Sequence, residues 1–161
     1  MFPKQEQTTK RAPNVEQPFP WRCRQCGKQE VVLATTEYAA EVRHDGRLYN
    51  FTIPNLEIPV CQACGARIFT DTVDAQVNDA LRAHLKLLTP TQIRDGIKRI
   101  GLSQKEVAGR LGIAEATLSR WLTNTQIQSR ALDNLLRLFF ALPEARAVLR
   151  GERGGKCAAV G

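Results

Sequence analysis

Two short cysteine knuckles constrain this chain more than anything else in it: Cys23-Arg24-Gln25-Cys26-Gly27 and Cys61-Gln62-Ala63-Cys64-Gly65. Two residues between the cysteines let one reverse turn aim both sulfurs at a common point. The glycine after each pair supplies the positive φ that such a turn often needs. Four thiolates delivered this way, Cys23, Cys26, Cys61 and Cys64, can close a tetrahedral site around one structural Zn²⁺. The 34 residues from 27 to 60 exceed the usual spacer of about 15–20. Two knuckles in one short segment are still a far more specific signal than a lone Cys-x-x-Cys. Four sulfurs leave no open position for a water, which argues against catalytic zinc.

Two other uses of the thiols compete with metal. Paired disulfides would suit a secreted domain, but Met1-Phe2-Pro3-Lys4-Gln5-Glu6-Gln7 has no apolar export segment, and Cys157 makes the cysteine count odd. A thioredoxin-like redox pair wants a βαβ context, which the pattern lacks. The expectation is therefore a reducing cytoplasm, where thiolates are free for metal. No apolar run approaches the roughly 18 residues of a membrane span, so no membrane partner is expected.

The length, 161 residues, suits one or two small domains. The net charge of +7 is unevenly placed. Residues 1–70 hold nine Lys/Arg against seven Asp/Glu; residues 71–161 hold fourteen against nine. A basic C-terminal half points to a polyanionic partner.

Residues 1–20, with Pro3, Pro13, Pro18 and Pro20, read as a disordered arm. Residues 21–70 form the four-cysteine domain. Within it Glu30–Thr36 is β-rich, and Tyr38–His44 and Leu48–Ile53 flank the hairpin signal Asp45-Gly46. Pro54 and Pro59 are expected to stop regular pairing. With so little apolar material, this domain should draw much of its stability from the metal. Asp74–Leu88 reads as a helix with Val77, Leu81, Leu85 and Leu88 on one face, a linking helix within 71–89 ended by Thr89-Pro90. Residues 90–150 follow as four short helices and a fifth after Pro143, and 151–161, with Cys157, as a disordered tail. The expected class is α+β: a small β-hairpin metal module, a linking helix and an all-α domain.

The stretch Leu102–Leu122 carries the second signal. Ser103 and Glu106 form an S-x-x-E capping box that starts a helix at Gln104. Gly112 sits where a left-handed helix end favours glycine. Ile113 turns back to the core, and Glu115 opens a second helix whose inward face is Leu118, Trp121 and Leu122. Ala108 is small where the helices would cross. Such a pair is either an ordinary αα-hairpin in a bundle or a helix-turn-helix.

This segment, about residues 91–142, resembles the lambda-repressor/Cro-like (XRE-type) helix-turn-helix family. The resemblance implies that the Glu115–Leu122 helix enters the major groove of double-stranded DNA. Its outward positions are Glu115, Ala116, Ser119 and Arg120. Arg120 can pair bidentately with guanine, Glu115 can accept from cytosine N4 or merely repel phosphate, and Ala116 can touch a thymine methyl. Gln104, Thr117 and Asn124 are implied phosphate contacts by the same resemblance. Each of these side chains could instead be part of a solvated helix face. Ala114 departs from the family's polar N-cap, which costs about 1 kcal/mol relative to Ser. Trp121 is expected in the core and His44 at the surface. No Ser/His/Asp or Cys/His grouping and no phosphate-cradling glycine loop is present, so an enzyme is not expected.

The order of modules resembles the MqsA-like antitoxin family with its YgiT-type zinc finger. It does so through Cys23/Cys26, Cys61/Cys64, the apolar run ending at Val60, and Ile127-Gln128-Ser129-Arg130-Ala131. The resemblance implies a zinc module that binds a ribonuclease toxin. It also implies a helix-turn-helix homodimer that represses its own operon at a palindromic operator. The helix from Ala131 to Leu142 carries Leu132, Leu135, Leu136, Leu138, Phe139, Phe140 and Leu142, more than one face requires; they close the domain's core or supply a dimer contact. A stand-alone regulator and a thiol or zinc sensor are the alternative readings.

Overall fold

The computed structural model describes residues 18–149. Most of the expected arm, and the tail with Cys157, lie outside them. Two strands, β1 (Val31–His44) and β2 (Arg47–Cys61), form one antiparallel hairpin. Six helices follow: α1 (Asp71–Leu85), α2 (Pro90–Ile100), α3 (Gln104–Leu111), α4 (Glu115–Leu122), α5 (Arg130–Ala141) and α6 (Pro143–Val148). The class is α+β, as the sequence implied.

Asp45 and Gly46 make the hairpin turn with φ of 53° and 75°, the doubly left-handed geometry that matches strand twist. Pro54 and Pro59 do not stop the pairing, contrary to expectation; both lie inside β2. A two-stranded ribbon leaves one edge of each strand unpaired, and proline is tolerated at edges and bulges. The strands end at His44 and resume at Arg47, so strict register would set Glu30 opposite Cys61. Instead Gln62 donates its amide to the Glu30 carbonyl at 2.8 Å, so β2 carries one extra residue. The buried positions shift parity between Ile53 and Leu56, which puts that residue beside Pro54.

The described chain divides into two compact units. One takes residues 18–38 and 53–74; the other takes 39–52 and 75–149. The hairpin tip thus belongs with the helices rather than with the cysteines, unlike the boundaries at 70 and 89 drawn from sequence. In the helical unit Asp45 accepts the backbone N–H of Arg130 at 2.9 Å, and His84 stacks on Phe51 with centroids 5.4 Å apart.

Helix α1 starts three residues before Asp74, behind Thr70, whose carbonyl takes the Asp74 amide at 2.9 Å. It ends at Leu85, because Lys86 turns left-handed (φ 54°). Thr89-Pro90, expected to end α1, instead opens α2: Thr89 and Gln92 form a reciprocal capping box and Pro90 fills the first turn. The helical core gathers Ile93, Val107, Ala108, Leu111, Leu118, Trp121, Leu122, Leu136, Phe139 and Phe140. Burying each large member is worth about 1.5–3 kcal/mol. Gly96 makes room in it, since a Cβ there would lie 2.6 Å from the Phe140 ring.

Candidate functional site

The two knuckles are built alike. Gly27 donates to the Cys23 carbonyl at 2.9 Å, and Gly65 to that of Cys61 at 2.8 Å. Cys23 donates to Lys28 and Cys61 to Ala66, at 2.7 and 2.9 Å. Both glycines are left-handed, with φ of 75° and 72°. A short antiparallel bridge braces each turn, Trp21 with Val31 and Val60 with Arg67. The sequence thus folds twice into the same sulfur-aiming turn, and the hairpin brings the two turns together.

All four Sγ atoms lie within 4.8 Å of one another. Cys23 to Cys64 and Cys26 to Cys61 are both 3.6 Å. A disulfide needs about 2.05 Å. A tetrahedron with metal–sulfur bonds of about 2.3 Å has edges of about 3.8 Å. The four cysteines therefore can hold one metal ion with small adjustments. The Cys26 backbone amide lowers the Cys23 thiol to about 7, with burial opposing. At Cys64 the Ala66 amide also favours thiolate, but burial and the neighbouring thiols outweigh it and push the group up to about 12. Four thiols this close cannot all ionise without a cation among them. His44 is not in the cluster; it is half-buried, and its Nε2 is buried without a hydrogen-bond partner among the described residues.

In the helical unit the capping box reads out as expected. The Ser103 hydroxyl accepts the Glu106 amide at 3.2 Å, and the Glu106 carboxylate accepts the Ser103 amide at 2.8 Å. Those contacts, the Ser103 backbone N–H first, hold the Glu106 carboxyl below its usual range. Gly112 ends α3 at φ 72° and donates to Ala108 and Gly109. Ala114 caps α4 with no side-chain bond. Leu118, Trp121 and Leu122 are buried, while Glu115, Ala116 and Arg120 are exposed and Ser119 is half-buried. Gln104 and Thr117 are half-buried, at the starts of α3 and α4.

Residues 93–142 match the helix-turn-helix family. The matched domain is of the DNA-binding, transcription-regulating kind. No curated protein matches the chain. The match begins inside α2 and ends just beyond α5, so it contains α3, the Gly112–Ala114 turn and α4. No helix of the described residues is long and apolar enough to cross a membrane.

One residue of the expected phosphate set, Asn124, has its side chain engaged within the protein. Asn124 sits left-handed (φ 61°) after α4, with its amide reaching Trp121 and that of Thr125 reaching Arg120. That is a Schellman ending with asparagine at the left-handed position. Its side chain is spent inside the helix-turn-helix unit, donating to the Ala75 carbonyl at 3.1 Å and Asp79 at 2.8 Å, and accepting from Arg82.

The reasoning from sequence missed what fixes this end of the helix. Arg82 is 1% exposed and donates to the carbonyls of Trp121 at 3.3 Å and Gln126 at 2.9 Å. Arg94 donates to the Leu122 carbonyl. Asp133, fully buried, accepts from Leu88 N at 2.7 Å, Gln128 at 3.0 Å and Arg137 at 2.7 Å, tying the α1–α2 connection to α5. The Thr89-Pro90-Thr91-Gln92 box was legible as a T-x-x-Q signal. Nothing in the sequence marks Arg82, which sits beside Leu81 on an apolar stripe.

Proposed function

We propose that this protein is a sequence-specific transcriptional repressor whose helix α4 reads the major groove, and that its four cysteines hold a structural Zn²⁺. One observation carries the reading. In a domain matching the helix-turn-helix family, α4 buries Leu118, Trp121 and Leu122 and leaves Glu115, Ala116 and Arg120 outward. The Arg120 guanidinium makes no hydrogen bond or ion pair among the described residues, so it is free to pair with guanine O6 and N7. Ser119 joins the base-reading set, and Gln104 and Thr117 the phosphate set.

Zinc is favoured by the all-sulfur donor set and the tetrahedral spacing. The metal's chemistry here is structural; the chain supplies the four thiolates, the amides that favour thiolate and the bridges that hold the turns. The chain acts as a binding protein in the cytoplasm and not as an enzyme. Leu138 and Leu142 are 51% and 45% exposed near the end of α5, an apolar surplus that suits a homodimer on a palindromic operator. The order of hairpin, cysteine cluster and helix-turn-helix resembles the MqsA-like architecture. On that basis the protein is the antitoxin of a toxin–antitoxin pair, its cysteine module binding a ribonuclease toxin.

Arg120→Ala should cost about 1–3 kcal/mol at the operator and relax preference at one base pair, measured by footprint-defined binding titrations. Unchanged affinity removes Arg120 from the reading set. Expressing the neighbouring gene alone and together with this protein tests the partner. Growth arrest relieved by co-expression supports the antitoxin; no arrest from either neighbour leaves a stand-alone regulator.

A further inference from the structure

Helix α4 is eight residues long, too short to be rigid through its own hydrogen bonds. Its first turn has no side-chain cap, because Ala114 offers none. The carbonyls of its last turn, those of Ser119, Arg120, Trp121 and Leu122, must find donors beyond the helix. All of them do. The Thr123 amide donates to Ser119 at 2.9 Å, and the amides of Thr125 and Gln126 donate to Arg120 at 3.0 and 3.2 Å. Arg82 of α1 donates to Trp121 at 3.3 Å, and Arg94 of α2 donates to Leu122.

The turn that supplies those amides is itself held by α1. Asn78 donates to the Asn124 carbonyl at 2.8 Å. Arg82 donates to the Asn124 side chain through one terminal nitrogen and to the Gln126 carbonyl at 2.9 Å through the other. The Asn124 Nδ2 donates in return to the Ala75 carbonyl at 3.1 Å and to Asp79 at 2.8 Å. From Ala75 onward α1 belongs to the helical unit, so every one of these contacts lies within that unit.

We propose that Arg82 and Asn124 are positioning residues that determine DNA specificity: by locking the end of α4 to α1 they set the direction in which Arg120 leaves the reading helix. The inference rests on the DNA-reading assignment above. Arg120 lies in the last turn of α4, and its own carbonyl accepts two amides of the clamped turn. A bidentate pair between guanidinium and guanine requires a donor held to within about 0.5 Å and 10–20°. A frayed last turn would leave Arg120 charged and able to meet any phosphate, but no longer aimed at one base edge. The lock therefore bears on discrimination more than on attraction. Arg82 suits this use because it is 1% exposed and its planar fork loses little freedom on forming these bonds. Asn124 suits it because asparagine tolerates a φ of 61° while offering both a donor and an acceptor.

The test is a double-mutant cycle on the full-length, metal-loaded protein. Affinities are measured for the duplex that the parent selects from a random DNA library and for a scrambled duplex of equal length. Arg82→Lys keeps the charge and loses the fork; Asn124→Gly keeps the left-handed backbone and loses the side chain. Each should weaken binding to the selected duplex by roughly tenfold and to the scrambled duplex by less than about twofold. In the Arg120→Ala background each should change selected-duplex binding by less than about twofold, because the lock acts through Arg120. Hydrogen exchange at the Thr125 and Gln126 amides should quicken in both variants while the helical circular dichroism signal holds. Should Arg82→Lys lose that signal, Asn124→Gly, at a half-buried position, carries the test. A tenfold loss that persists in the Arg120→Ala background overturns the proposal, since the effect would then be on folding at large. Equal losses on both duplexes overturn it too, and for Asn124→Gly they would mark a phosphate contact. Unchanged selected-duplex affinity in both variants, with Arg120→Ala weakened, overturns the lock and leaves the reading helix standing. Unchanged affinity in Arg120→Ala removes the reading assignment and the lock with it.

Discussion

Around the cysteines the buried cluster is Trp21, Cys23, Val31 and Cys61, two of which are metal-ligand candidates, and the same unit also buries Ile53, Leu56, Ile58 and Val73; the helical unit gathers ten buried hydrophobic residues from α2, α3, α4 and α5 in one cluster. The small cluster around the cysteines offsets little of the entropy of ordering its turns, and closing the four thiolates on an ion would supply the rest. The helical unit closes its own core and spends polar groups on helix ends. With an ion bound, two neighbouring stretches of one chain would obtain rigidity from different sources, and they should fail under different treatments.

Chelation should have the largest effect. Structural zinc contributes about 10–16 kcal/mol in zinc-finger peptides, so chelator or Cys61→Ser should unfold the cysteine unit and leave the helical circular dichroism signal of the second unit. Loss of all helical signal would break the comparison. Acid should act the same way. A bound ion would keep even Cys64, otherwise pushed up to about 12, deprotonated, so falling pH should favour the protonated thiol and release the ion. A chromophoric chelator would follow that release while the helical signal persists.

Within the helical unit, Arg82→Met should cost about 2–4 kcal/mol in urea unfolding, because the carbonyls of Trp121 and Gln126 and the Asn124 side chain lose their donor. A neutral result would mean that water replaces the guanidinium. Gly96→Ala should cost about 1–3 kcal/mol despite the better helix propensity of alanine, since the new methyl meets the Phe140 ring. Stabilisation instead would show that the ring can yield.

The smallest effect concerns Glu106. Its folded carboxyl lies below the usual range, held there by the Ser103 amide, so its contribution is present at neutral pH and is lost as pH falls through that lowered value. Glu106→Gln should flatten this part of the stability–pH curve measured by urea titration at successive pH values.

Local signals were legible for a local reason. The knuckles, the Asp45-Gly46 turn, the Ser103–Glu106 box and Gly112 each act over four or five residues, and backbone sterics with nearby hydrogen bonds decide them almost regardless of context. The bonds of Asn124 to Ala75, Asp79 and Arg82 were not legible because they depend on a helix more than forty residues earlier. Pro54 and Pro59 were misread because proline's penalty in a strand depends on whether its edge is paired, which no single segment reveals.

The sequence by itself determined where the candidate metal ligands lie, where α3 and α4 begin and end, and which face of α4 is apolar. The tertiary structure alone decided that an arginine would be buried at the end of that helix and that the hairpin tip would join the helical unit. Those outcomes arise from groups distant in sequence finding partners for polar atoms that burial has removed from water.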